Sequence, residues 1–266
     1  MAERGIPMNA DSVRGLMTCA QCGRVTALYE CPECGCTERV KTQTRRVISD
    51  KVFARLAARC PEHYGAEPLE VTGITAGEMF ASDWDAYALA DDATLTRDAQ
   101  ELAAFLRGLP PYAVGDRLWV KEGLVRSGAG GVVYQADRCP VMVDGESLTW
   151  RWKRDKLPSI FMPKWAARIR RTVTAVRAER LQDISEEDAI AEGVGAGWDI
   201  AAGEPGWPDY GHIRVVAGGT TFSDITQDTA RMSYATLWDS INAKRGFRWD
   251  DNPWLFAYTF ETERGE

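Results

Sequence analysis

Six consecutive residues, Lys41-Thr42-Gln43-Thr44-Arg45-Arg46, set three cations among three neutral polar side chains. An ammonium beside a hydroxyl becomes a base and nucleophile pair once burial lowers the lysine enough to leave a free amine. A guanidinium at Arg46 suits an anion or the edge of a base. If Thr44 opens a strand, Thr44 and Arg46 share one face and Arg45 takes the other, and Lys41 folds back over Thr44 only across a turn. The competing reading of the hexapeptide is a solvated, basic strand start.

A second chemical signal precedes the first. Five of the seven cysteines fall between Cys19 and Cys36, in two Cys-x-x-Cys-Gly turns, Cys19-Ala-Gln-Cys22-Gly and Cys31-Pro-Glu-Cys34-Gly. Each turn lets two thiolates meet one ion, and two turns complete a tetrahedral zinc site. Cys19, Cys22, Cys31 and Cys34 are the expected ligands, with Cys36 as a spare. Four protein ligands leave no open position, so the expected zinc is structural. Cys60 and Cys139 read as ordinary thiols.

Composition limits what these groups can serve. The 266 residues are 45% hydrophobic and 27% charged, as in globular chains that bury a sizeable core. A net charge of -7 and a pI near 5.1 argue against a general grip on duplex DNA or an anionic membrane, so any nucleic-acid contact must be local. The chain opens without a signal-peptide pattern and has no apolar run approaching the roughly 20 residues of a membrane span. A cytoplasmic protein is the expectation.

Several elements must position the candidates. A short helix is expected over Met8 to Met17, a zinc ribbon over residues 18–38, and a helix and loop insertion over residues 50–107, where His63 reads as a surface residue. Arg117 to Glu122 alternates as a strand, as do Val132 to Ala136 and Arg168 to Arg177. Gly128 to Gly131 lacks the lysine and following helix of a phosphate cradle. Ser185 caps a helix that Gly193 ends, with Glu186 and Glu187 at its favourable start. Glu192 sits at the negative helix end, a misfit that suggests a job. Residues 194–220 look loop-dominated, Ser233 to Asn242 reads as an amphipathic helix, and Trp254 to Phe260 as a buried closing strand. Most of the ten tryptophans, including Trp119, Trp165, Trp238 and Trp254, are expected in the core.

Lys41-x-x-Thr44-x-Arg46, Gly115-Asp116-Arg117-Leu118-Trp119-Val120, the stretch from Leu181 to Gly193 and the terminal aromatic strand together resemble the ASCH domain family, and the wording is similar to phage and prophage ASCH-type proteins. The resemblance implies an α+β fold: one PUA-like small β-barrel over residues 1–266 with flanking helices and the ribbon inserted. Some relatives are amidohydrolases that cleave N4-acetylcytidine with a Lys, a Thr three residues on and a Glu on a later helix. Carried over, these are Lys41 as base, Thr44 as nucleophile and Glu192 as acid, with Arg46, Arg45 and Trp119 as candidate contacts to the base. The family has Gly two residues before the motif lysine, where this chain has Arg39 directly after the ribbon. A different class of function is also open: a non-catalytic module that binds a modified nucleoside, single-stranded DNA or RNA through the same pocket. Nuclease activity has no metal-carboxylate cluster in the sequence to support it.

Overall fold

The computed structural model describes residues 3–8, 41–59, 76–88, 90–195, 197–199, 204–212, 214–216, 219–221 and 226–262. The expected ribbon at 18–38 with Cys19, Cys22, Cys31 and Cys34, the helix expected to follow Met8, and Arg39, Cys60 and His63 lie outside the described residues.

The chain is α+β. It begins with β1 (Glu3–Pro7) and β2 (Gln43–Val47), followed by helices α1 (Asp50–Arg59), α2 (Ala76–Asp83) and α3 (Arg97–Arg107). Then come β3 (Arg117–Lys121), β4 (Leu124–Arg126), β5 (Val132–Tyr134), the short β6 (Met142–Val143) and β7 (Glu146–Ser147), and β8 (Lys156–Leu157). The long β9 (Arg170–Arg180) leads into α4 (Glu186–Ala191). The expected loop region holds four short strands, β10 (Gly197–Asp199), β11 (Glu204–Pro208), β12 (Arg214–Val216) and β13 (Gly219–Thr221). β14 (Thr226–Gln227), α5 (Ala230–Asn242) and β15 (Trp254–Thr262) complete the chain.

The main sheet has five strands in the order β1-β3-β9-β15-β2, with β1 parallel to β3 and the other pairs antiparallel. Laid flat, its edge strands would stand about 19 Å apart. Arg46 on β2 nevertheless donates from Nη2 to the Pro7 carbonyl on β1 at 2.9 Å. One side chain spans the gap, so the sheet is strongly curled. It is not a closed barrel among the described residues, because β1 and β2 both remain edges.

β15 shows why the sheet curls around one core and is covered by another. Phe256, Tyr258 and Phe260 join Ile6, Leu118, Val120, Val173 and Val176 in the larger core, which the helices plug with Leu56, Phe80 and Leu106. Leu255 and Ala257, on the opposite face, pack under α4 and α5 with Ala189, Tyr234 and Trp238. Alternation with both faces apolar is what a central strand between two layers requires. A third cluster of Leu124, Val132, Tyr134, Leu157 and Met162 belongs to the small β5-β4-β8 sheet.

Two expectations for tryptophans change. Trp165 is 54% exposed, as are its neighbours Ile160 and Phe161 at 59% and 68%. Pro158 and Pro163 break this stretch into two single turns, which bury Met162 and Ala166 instead. Trp119 is half-buried and lies over Gly5, where an added Cβ would sit 2.6 Å from its ring, with the Lys121 ammonium 5.0 Å from the ring centre.

Candidate functional site

β2 begins at Gln43, so Gln43 and Arg45 share the face toward α4 and α5, while Thr44 and Arg46 pair with Tyr258 and Phe256 on the face toward the larger core. The Phe260 amide donates to the Thr42 carbonyl and the Ile48 amide to the Trp254 carbonyl, each at 2.9 Å. Main-chain groups alternate along a strand, so those of Gln43, Arg45 and Val47 turn to the free edge.

At that edge lies a cavity of about 380 Å³. Its charged floor is Lys41, Arg45 and Glu192, and its hydroxyls come from Thr44, Tyr234 and Ser159. Leu237, Trp238 and Ile241 of α5 form an apolar wall. The volume falls within the range of roughly 300–1,000 Å³ for small-molecule sites.

Three local features bring Glu192 to Lys41. Ser185 accepts the Asp188 amide at 3.0 Å and starts α4, and Gly193 ends it at φ +95, in the left-handed region. A Cβ at Gly193 would meet Lys41 Cβ at 3.3 Å, so glycine also permits the close approach. The Thr42 amide donates to the Ala191 carbonyl at 2.8 Å and ties the two segments together. Lys41 Nζ then donates to the Glu192 carbonyl at 2.6 Å and to its Oε2 at 2.7 Å. One ammonium thus satisfies both a helix-end carbonyl and the carboxylate that the helix dipole disfavours.

Arg45 binds the other carboxylate oxygen, Glu192 Oε1, at 3.1 Å, along with Glu179 at 2.8 Å and Asp188 at 2.9 Å. Gln43 and Arg177 add bonds to Asp188 at 2.7 and 2.5 Å. The Lys41 and Glu192 side chains are only 3% and 5% exposed. Burial would raise the Glu192 carboxyl, but the Lys41 and Arg45 charges and hydrogen bonds outweigh it and hold it below the ordinary value. Burial pulls Lys41 below the ordinary lysine value against the Glu192 charge, and the Arg46 and Arg45 charges act in the same direction as burial. Burial also pushes Tyr234 well up, with the Glu192 charge adding to it, so this phenol stays protonated.

The three expected catalytic positions, Lys41, Thr44 and Glu192, therefore line one cavity, and Arg45 and Arg46 line it too. Trp119 does not. Arg45 is already engaged by three carboxylates, so its place is to hold Glu192, while Arg46 has only the Pro7 carbonyl as a hydrogen-bond partner among the described residues. The Thr44 hydroxyl has no hydrogen-bond partner among the described residues. Glu186 has a job away from its own helix, since its carboxylate accepts the Ala230 and Arg231 amides at 2.8 and 3.2 Å and caps α5.

Sequence reasoning missed Gln43, Asp188, Tyr234 and Arg245. The signals were present. Starting the strand one residue earlier puts Lys41, Gln43 and Arg45 in step, and helical spacing from Tyr234 through Leu237, Trp238, Ile241 and Arg245 traces one stripe.

Among the described residues no group of three or more His, Cys, Asp or Glu could hold a metal ion. No helix among them is long and apolar enough to cross a membrane. Comparison with known protein families, with curated proteins and with solved structures finds no match.

Proposed function

We propose that this cavity binds a nucleobase or nucleoside and that the chain is an amidohydrolase of N4-acylated cytidine, built on a PUA-like fold of the ASCH type. The observation that carries the reading is that Lys41, Thr44 and Glu192 line one cavity, which holds both a buried ion pair and a hydroxyl without a hydrogen-bond partner among the described residues. The main-chain groups of β2 that no described strand pairs offer donors and acceptors to a base edge, and the α5 wall offers it an apolar face.

The resting pair sets the order of proton movements. Glu192 is ionised, so it acts as an acid only after receiving a proton. Across the 2.7 Å bond to Lys41, one proton shift converts ammonium and carboxylate into amine and carboxylic acid. A buried site narrows the gap between these two forms because burial penalises both charges. The Lys41 amine then takes the Thr44 proton as Thr44 Oγ bonds to the acyl carbon. Collapse breaks the bond from carbon to N4, and Glu192 gives its proton to that nitrogen. Water attacks the acyl ester through the same exchange, releasing the carboxylic acid and restoring Thr44.

The test is hydrolysis of N4-acetylcytidine by the wild type and by Lys41→Ala, Thr44→Ala and Glu192→Gln, with the folding of each checked. Turnover by the wild type is expected to fall about 10²–10⁴-fold on loss of the base or the acid and to vanish without Thr44. No turnover by the wild type, on nucleoside or acetylated oligonucleotide, would sink the hydrolase reading. The second reading, binding without catalysis, draws on Lys41 being held as an ammonium by two acceptors, which leaves no base at rest. RNA and single-stranded DNA titrations decide for it.

The zinc ribbon belongs to the same proposal. Cys19, Cys22, Cys31 and Cys34 would hold one structural zinc next to the motif lysine, in a chain working in the cytoplasm, where thiols stay reduced. Reduced, freshly purified protein should contain about one zinc per chain, and a content of zero removes the assignment.

A further inference from the structure

Resting on the nucleoside reading of this cavity, we propose that its ligand carries a phosphate, held between Arg46 and Arg245. The observation is a local excess of positive charge in an acidic chain. Carboxylates outnumber lysines and arginines, 39 to 32, and the arginines around the site are saturated with them. Arg45 has three carboxylate partners and Arg177 has two. Arg46 and Arg245 differ. Arg46 bonds the Pro7 carbonyl and Arg245 bonds Asn242 Oδ1 at 3.1 Å, both neutral acceptors, and neither has a carboxylate partner among the described residues.

Both line the same cavity, and Arg245 is exposed. The Arg46 charge is felt at the floor, where it helps lower Lys41. Two guanidiniums with donors to spare, in a concave site, attract an anion more strongly than either would on an open surface. The α5 stripe gives the ligand its direction. Leu237, Trp238 and Ile241 are apolar, then Asn242 and Arg245 are polar, which matches a flat base continuing into a charged tail. Arg245 also sits just past the negative end of α5, where a cation is favourable without any ligand. That structural role predicts a stability change and nothing else.

The experiment is calorimetric titration of the whole, zinc-loaded protein with cytidine, cytidine 5′-monophosphate, inorganic phosphate and a cytidine-containing tetranucleotide, for the wild type, Arg46→Gln and Arg245→Gln. The monophosphate is expected to bind roughly tenfold or more tightly than cytidine at low salt. That ratio should collapse toward one in Arg245→Gln, fall in Arg46→Gln, and shrink as salt is added. Cytidine binding with no gain from the phosphate overturns this inference and leaves the nucleoside reading standing. Phosphate binding that Arg245→Gln abolishes, without any nucleoside binding, supports the anion site and overturns the nucleoside reading. A tetranucleotide that binds more tightly than the monophosphate assigns the phosphate to a polymer, and the reverse assigns it to a free nucleotide. Binding of none of the four overturns both proposals.

Discussion

Two clusters of buried charge among the described residues can be set side by side, around Arg168 and around Glu192, and only the second is built like a site. Around Arg168, at the seam of the small sheet, Glu122 receives a two-pronged grip at 3.0 and 2.7 Å, and Asp137 takes the remaining nitrogen at 2.7 Å. The guanidinium stacks 3.7 Å from the Tyr134 ring centre, and the Tyr134 hydroxyl donates to the Ala166 carbonyl. Every strong group there is answered within the protein. Around Glu192 the ion pairs are as complete, yet they form the floor of a cavity that Thr44, Arg46 and Arg245 also line, and among the described residues the threonine hydroxyl has no partner and the two arginines have no carboxylate. Buried charge alone marks a staple as readily as a site. A cavity bordered by groups that still lack partners points to a ligand.

The largest expected effect breaks the closed cluster. Arg168→Ala leaves Glu122 buried and unpaired and should cost about 3–5 kcal/mol. Thr44→Ala, which removes a hydroxyl without a partner, should change stability by less than about 1 kcal/mol. Urea unfolding measures both, and comparable losses would erase the distinction.

A middle-sized effect separates the clusters by pH. Glu192 titrates below its unfolded value, so it contributes stability above the unfolded carboxyl value that is lost as pH falls through its folded value. Burial pushes Glu122 above its ordinary value despite Arg168, so its ionised form costs stability, and that cost is relieved as pH falls from its folded value toward 4.5. Between pH 7 and 3, Glu192→Gln should flatten the acid loss of stability and Glu122→Gln should steepen it. Slopes that move the same way would show that the two clusters respond alike.

The smallest effect concerns a second unpartnered hydroxyl. Tyr258, opposite Thr44 in the sheet, is fully enclosed, and its hydroxyl has the Tyr112 backbone nearby but no hydrogen bond of ordinary geometry among the described residues. Thr44 opens on the cavity and Tyr258 does not. Tyr258→Phe should therefore leave the melting temperature unchanged or raise it, because it removes a buried polar group that lacks a well-formed hydrogen bond. A clear loss of stability would mean that the hydroxyl is answered after all.

Much of the site was legible along the chain. The spacing from Lys41 to Thr44, the helix that Ser185 starts and Gly193 ends, and the poor fit of Glu192 to a helix end all survive in the folded protein, because capping and dipole effects act over a few residues. The role of Arg45 was not legible. Its partners Glu179, Asp188 and Glu192 are more than 130 residues away, and no local rule names them. The pairing of Glu122 with Arg168 was equally hidden, since it joins the residue just after β3 to one just before β9, 46 positions apart in the chain. Trp165 misled because composition favours burying an indole, while two prolines turned the chain outward.

By itself the sequence determined the central strands β3, β9 and β15, the two ends of α4 and the candidate chemistry, since propensity, periodicity and capping are short-range. The tertiary structure decided which carboxylate meets which cation, and that the β2 edge of the curled sheet, unpaired among the described residues, lies at the cavity that α5 also lines. These depend on contacts between residues far apart in the chain, whose energies exist only once both sides are brought together and water is removed.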